Sequence, residues 1–128
     1  MKVLLDTPLL LWAAGFPKRL SPQAREIIGS SGNEIFFSVV RLWEIEIKAS
    51  LGREDFRVEP PGFRRGLLEN DDLERPISGN HVLSLRQRPP LHRDPFDRIL
   101  LAQSLSDNLL LLTSDETLAR DPLFLRRV

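Results

Sequence analysis

Five acidic residues stand where a folded chain could bring their carboxylates together. Asp94 and Asp97 are three residues apart in Leu91-His92-Arg93-Asp94-Pro95-Phe96-Asp97-Arg98, and Asp6, Glu44 and Asp115 are spread over the rest of the sequence. The chain has no cysteine and two histidines, so thiolate and His₃ metal sites are excluded. A cluster made of carboxylates suits hard divalent cations, which prefer oxygen ligands.

Each acid also has an ordinary structural explanation. Pro95 suits the first turn of a helix, where its missing N–H has no partner to lose. Asp94 is then the N-cap, and Asp97, near N3, complements the helix dipole and can reach back as in a capping box. Glu44 shares a strip with Arg41 and Lys48, at i−3 and i+4. Taken alone, that helix predicts a solvated Glu44–Lys48 pair, on the order of 0.3–0.5 kcal/mol.

The elements that would position these acids alternate between strands and helices. Residues 2–5 read as a short buried strand ended by Asp6, and Thr7-Pro8 opens a helix over 9–14. Ser21-Pro22 repeats that start for a helix over 23–28. Residues 34–38 form a second strand, and Ser38 caps a helix running to about Leu51, with Gly52 just past its end. Trp43, Ile47 and Leu51 lie on one face of it, widened by Leu42, Ile45 and Ala49. Residues 53–61 read as a polar connector with a Pro-Pro stop, and 63–69 as a modest helix. A short strand over 73–77 is weakened by Pro76. Ser78 caps a helix over 81–86 with His81 on its surface, and Pro89-Pro90 ends it. His92 sits in a loop two residues before Asp94. After the helix of Asp97, the leucines of 109–112 read as a buried strand, followed by a short helix over 117–120 and an edge strand or tail over 123–128. Such alternation predicts a parallel sheet covered on both faces. Right-handed crossovers point all its strand ends one way, and ligands bind at that edge. Asp6, Glu44, Asp97 and Asp115 all fall near it.

Composition sets the bounds. A chain of 128 residues, 41% hydrophobic and 28% charged, is expected to form one domain, 1–128, with a single core. Net charge is zero, so the molecule has no generic affinity for nucleic acid and any polyanion site is local. Of its 18 basic residues only Lys2, Lys18 and Lys48 are lysine. Arginine suits phosphate contacts, but a codon-biased genome gives the same skew. The absence of cysteine fits a reducing compartment, and the expectation is a cytoplasmic protein with no membrane partner.

In order, Asp6-Thr7, Leu42-Trp43-Glu44-Ile45 with Lys48, Leu91 to Arg98, and Leu112-Thr113-Ser114-Asp115 resemble the motifs of PIN-domain proteins. Among these they are most similar to the VapC-like toxins of type II toxin–antitoxin modules. The resemblance covers nearly the whole chain. It implies a three-layer α/β/α sandwich around a mostly parallel sheet, and a Mg²⁺- or Mn²⁺-dependent endoribonuclease using one or two ions. Asp6, Glu44, Asp97 and Asp115 match the family's acidic quartet, and Asp94 matches a further acid of the subgroup. Thr7, Thr113 and Ser114 sit beside matched acids as hydrogen-bonding supports. Arg93 and Arg98 flank them, to contact phosphate or to pair with the acids. Pro8 departs from the pattern, because relatives often carry histidine or another residue there. Implied partners are an RNA substrate, a cognate antitoxin and a second copy of the chain. Leu9-Leu10-Leu11-Trp12 and Trp43 could form an apolar groove for the antitoxin or simply fill the core.

Phosphodiester hydrolysis needs an activated water, neutralised phosphate oxygens and a stabilised leaving group, and carboxylate-held metal can supply all three. Clustered acids without metal should have raised pKa values. The competing class is a catalytically silent PIN-like domain that works by binding a protein. A phosphotransferase with Asp6 as nucleophile is disfavoured, since Pro8 stands where a second Asp is wanted.

Overall fold

Apolar runs form the strands, and capped, proline-opened segments form the helices. The computed structural model describes residues 1–52, 58–87 and 94–115, and the backbone of 125–127. The strands are β1 (Lys2–Leu5), β2 (Glu34–Ser38), β3 (Leu73–Arg75), β4 (Leu110–Thr113) and β5 (Leu125–Arg127). They make one sheet of order β3-β2-β1-β4-β5, every pairing parallel. The helices are α1 (Thr7–Gly15), α2 (Pro22–Gly29), α3 (Val39–Ser50), α4 (Pro60–Glu69), α5 (Gly79–Ser84) and α6 (Pro95–Ser106). Turns of 3₁₀ helix follow α1 and α5. The expected helix over 117–120, the Pro89-Pro90 stop, His92 and Arg93 lie outside the described residues.

Side chains of β1 alternate between two cores. Val3 and Leu5 join Leu9 and Leu10 of α1, Ala24 and Ile27 of α2 and Leu67 of α4. Leu4 joins Phe36 with Leu100 and Leu101 of α6. Both faces are therefore buried, which is why the strands are continuously apolar. The result is a single α/β domain, a mostly parallel sheet flanked by helices. No helix among the described residues is long and apolar enough to cross a membrane.

Caps fix where the helices begin. Oxygens of Asp6, Ser21, Ser38, Ser78 and Asp94 accept from the N–H groups of Thr7, Ala24, Val40, His81 and Phe96. Each satisfies a donor with no intrahelical partner. Pro60-Pro61 opens α4 instead of stopping the connector before it. Proline serves equally well at the first helical position, where no N–H is needed.

Helices α4 and α6 end in the same way. The N–H of Asp72 donates to the carbonyl of Leu67, and that of Leu109 to Ser104, across Asp71 and Asn108 at positive φ (65° and 55°). This is the Schellman arrangement, here with Asp and Asn in the left-handed position usually held by glycine. It turns each helix back into the next strand. Burial pushes the Asp72 carboxyl up to about 6 from 3.8, Asn70 opposing this by a hydrogen bond and Asp71 adding to it. A carboxyl raised on folding supplies stability at low pH that is lost as pH rises through the folded value. Two pKa units correspond to about 2.7 kcal/mol at full weight; with half the group in solvent, screening reduces this to about 1 kcal/mol. Asp72→Asn should therefore add about 1 kcal/mol at pH 7.5 and flatten the decline between pH 4 and pH 6. Urea melts at pH 4.5 and 7.5 check this, and equal pH dependence in both proteins refutes it.

His81 is not on the surface as the sequence suggested; it is 5% exposed. It occupies the third helical position of α5 in a capping box with Ser78. Its Nδ1 accepts from the Ser78 N–H (2.9 Å), so the ring proton is on Nε2, facing both oxygens of Asp107 at 3.0 Å. Arg75 Nε donates to the same carboxylate (2.8 Å). Burial pushes Asp107 up, but Arg75 and His81 outweigh it and the carboxyl lies below its ordinary value. The network ties β3, α5 and the end of α6 together.

The structure settles which face of α3 points inward. It buries Val40, Arg41 and Ile45, while Trp43, Ile47 and Leu51 face outward. Two apolar strips flank the helix, and the strip carrying Arg41 packs inward.

Candidate functional site

The sheet reverses its order at β1, which has β2 and β3 on one side and β4 and β5 on the other. Strand ends at such a point leave a crevice. Asp6 is the first residue beyond β1, and Thr113 is the last of β4. The Asp6 N–H donates to the Leu112 carbonyl (3.1 Å), extending the pairing by one residue. Asp6 is thereby buried and its carboxylate fixed. Oδ1 accepts from the Thr7 N–H (2.8 Å), and Oδ2 from the Thr113 hydroxyl (2.8 Å).

Helix α3 starts where β2 ends and brings Arg41 and Glu44 to this crevice. Helix α6 brings Asp97 in its first turn. The three acids meet on one guanidinium. Arg41 Nη2 lies 2.6 Å from Asp6 Oδ1 and 2.9 Å from Asp97 Oδ1, and Nη1 lies 2.7 Å from Glu44 Oε1. The Thr7 hydroxyl also donates to Glu44 Oε1 (3.1 Å). Glu44 thus pairs with Arg41 at i−3, not with Lys48 as the helix alone predicted.

Asp115 approaches by its backbone: its N–H donates to Thr113 Oγ1 (2.9 Å), the hydroxyl that holds Asp6. The residue itself is exposed, and Ser114 beside it is half-buried. Asp94 caps α6 (2.9 Å to the Phe96 N–H) and lies outside the guanidinium cluster. Arg98 is half-buried, and its Nε finds no acceptor among the described residues. Arg93 lies outside them.

Arg41 is the residue that sequence reasoning passed over as part of the site. It is 2% exposed. Burial pulls its pKa down, but Asp6, Glu44 and Asp97 more than offset this, and the net shift is upward. Asp97 moves the other way from a salt-bridged acid. Burial pushes it up, Arg41 opposes this, and Asp94 and Asp6 add to the rise, so its carboxyl lies above the ordinary 3.8. Three carboxylates around one guanidinium leave two negative charges uncompensated. The signal in the sequence was a lone arginine in the apolar run Val39-Val40-Arg41-Leu42-Trp43, one turn ahead of Ile45 on the buried strip.

The donor set fits a hard divalent cation in chemistry, being carboxylate oxygen supported by hydroxyls. Its present arrangement is built around Arg41. Among the described residues no group of three or more His, Asp or Glu is disposed to hold a metal ion.

Beside this cluster an apolar surface is open. Trp43 is 60% exposed and packs edge-on against Phe96, ring centres 5.0 Å apart. Both rings line a cleft of about 390 Å³ with Val39, Val40, Ile77, Val82, Pro95 and Ile99. Trp12, by contrast, packs half-buried against the core.

A family model described as PIN domain matches residues 3–121. The structure is similar to the crystal structure of VapBC2 from Rickettsia felis bound to a DNA fragment from their promoter. The TM-score is 0.68, covering 99% of this chain and 98% of the other at 17% identity. At that identity the likeness is one of fold. No curated protein matches the sequence.

Proposed function

The chain belongs to the PIN domain family, and we propose that it is a divalent-metal-dependent endoribonuclease, the toxin of a type II toxin–antitoxin module. The observation that carries this is the meeting of Asp6, Glu44 and Asp97, from three separate elements, at the crevice where the sheet order reverses. Asp6, Glu44, Asp97 and Asp115 are the residues that would hold Mg²⁺ or Mn²⁺, as one or two ions. The chemistry such an ion supplies is neutralisation of the phosphate and activation of a water.

The chain's own residues have separable tasks. Thr113 and the Thr7 N–H fix both oxygens of Asp6, and the Thr7 hydroxyl orients Glu44. Asp97 brings its carboxylate to the site from the first turn of α6 and would take a proton from an attacking water at an Oδ atom that the ion leaves free. Asp94 holds the start of α6, and so the position of Asp97. Ser114, Arg93 and Arg98 remain candidates for substrate contacts. The test is incubation of total RNA with the purified chain and Mg²⁺ or Mn²⁺, with the cut ends mapped. Metal-dependent, site-selective cleavage supports the reading; intact RNA under all metal conditions removes it.

A silent, protein-binding PIN domain is the second reading, and the engagement of the acids by Arg41 favours it. Metal-dependent thermal stabilisation separates the two.

For partners, we propose a cognate antitoxin, a second copy of the chain and a cytoplasmic setting. The fold is shared with VapBC2 from Rickettsia felis, solved bound to a DNA fragment from their promoter, and together with the resemblance to VapC-like toxins this supports an antitoxin partner here. Its amphipathic helix would lie on the surface of Trp43 and Phe96, with a basic side chain reaching the acids. Trp43→Ala should weaken binding of the antitoxin encoded beside this gene by roughly thirtyfold, the scale of an exposed aromatic anchor. The variant's own stability should fall by about 1 kcal/mol, the worth of the edge-on pair with Phe96. Calorimetric titration measures the first and thermal melting the second; unchanged affinity places the antitoxin elsewhere.

A further inference from the structure

We propose that Arg41 is a resident counter-cation of the acidic site, filling the position between Asp6, Glu44 and Asp97 for which a divalent ion must compete. The inference rests on the reading of these acids as a metal site. Its basis is positional. One nitrogen, Nη2, lies 2.6 and 2.9 Å from carboxylates of two different elements, and its neighbour Nη1 lies 2.7 Å from the third. Asp6, Glu44 and Asp97 would hold an ion through the carboxylate oxygens that now accept from Arg41, so the guanidinium and the ion would compete for them. The two cannot share the centre.

Nothing about Arg41 suggests an accidental surface pair. The side chain is 2% exposed, and it engages the acids through both terminal nitrogens. Its Nε, pointing back along the stem, finds no acceptor among the described residues. Among the described residues the guanidinium is thus held by the acids alone, with no second anchor to retain it once they turn to another cation. Two negative charges remain uncompensated in the cluster, so a divalent ion is still attracted. Arg41 therefore sets a threshold for metal without excluding it, and holds the acids together below that threshold.

Calorimetric titration of Mn²⁺ into the full chain tests this. Arg41→Gln should bind Mn²⁺ roughly tenfold or more tighter than wild type, because a unit charge within hydrogen-bond distance of the ligands is gone. Arg41→Lys, which keeps a charge, should bind about as weakly as wild type. Arg41→Gln affinity no higher than wild type, or no Mn²⁺ binding by either protein, overturns the proposal. A measurement on wild type guards against a variant that fails to fold. In ¹⁵N-arginine-labelled protein, the Arg41 Nε–H resonance should move as Mg²⁺ saturates the acids, and a stationary resonance at saturation overturns the proposal. The nuclease reading fails separately. Tight Mn²⁺ binding by Arg41→Gln with no RNA cleavage by either protein removes the nuclease and keeps the counter-cation. RNA cleavage with metal affinity indifferent to Arg41 does the reverse.

Discussion

Asp97→Asn should reduce metal-dependent RNA cleavage by on the order of a hundredfold or more, the scale on which a positioned acid–base group acts, while the fold stays intact. The side chain reaches the site from the first turn of α6 and accepts from Arg41 at 2.9 Å. Asparagine keeps the shape, and its amide oxygen can still accept that hydrogen bond. What is lost is the charge and the capacity to hold a proton. Asp94 provides the contrast on the same turn. It caps the helix, so Asp94→Ala should cost about 1 kcal/mol of stability, and Asp94→Asn little, since Asn caps almost as well. Cleavage rates at saturating Mg²⁺, with melting curves for all three variants, decide the matter. Equal loss of activity in folded Asp94→Asn and Asp97→Asn means that the two acids have been assigned the wrong way round.

The elements on which these acids stand were legible because local and long-range signals agree there. Ser21-Pro22, Ser38 and Asp94-Pro95 each combine a cap with a tolerated proline or an apolar run, and each opens a helix. Short runs such as 2–5 and 34–38 are buried on both faces and need no alternation to be read as parallel strands. Element order then places Asp6 and Thr113 at the reversal of the sheet. The resemblance to PIN-domain motifs singled out these acids as candidates, but it does not say what they touch.

What remained hidden depends on which side of an element faces inward. Helix α3 has apolar residues on two strips, so periodicity could not choose between Trp43-Ile47-Leu51 and Val40-Ile45. The choice is made in three dimensions, where α3 packs against β2, α4 and α6. That same choice turns Arg41 inward and reassigns Glu44 from Lys48 to the site. His81 was hidden for a similar reason. Its partner Asp107 lies 26 residues further along the sequence, and 32 beyond Arg75, which shares that carboxylate, so no local pattern links them. Pro60-Pro61 reads as a stop or as a start until the following helix is seen.

Arg41→Met should destabilise the chain by about 3–5 kcal/mol in metal-free buffer at neutral pH. That is the usual consequence of removing one partner from a buried charge cluster. Methionine fills much of the volume, so the loss is electrostatic more than steric. Three carboxylates that shared one guanidinium are left facing each other, with the Thr7 N–H and the hydroxyls of Thr7 and Thr113 still supporting Asp6 and Glu44. The pH dependence has a definite sign. Asp97 already lies above the ordinary carboxylate value, and Arg41 is the neighbour that holds it down. Without Arg41 the carboxyl rises further. A group raised on folding supplies stability below its unfolded value and loses it as pH climbs through the folded one. The deficit of Arg41→Met should therefore be greatest at neutral pH and shrink as pH falls toward about 4. Mg²⁺ or Mn²⁺ should restore stability to the variant more than to wild type, since a cation then has the centre to itself. Urea denaturation of both proteins at pH 4.5 and 7.5, with and without the ion, measures every part of this. A variant as stable as wild type at pH 7.5 without metal would mean that Arg41 contributes nothing to holding the acids together.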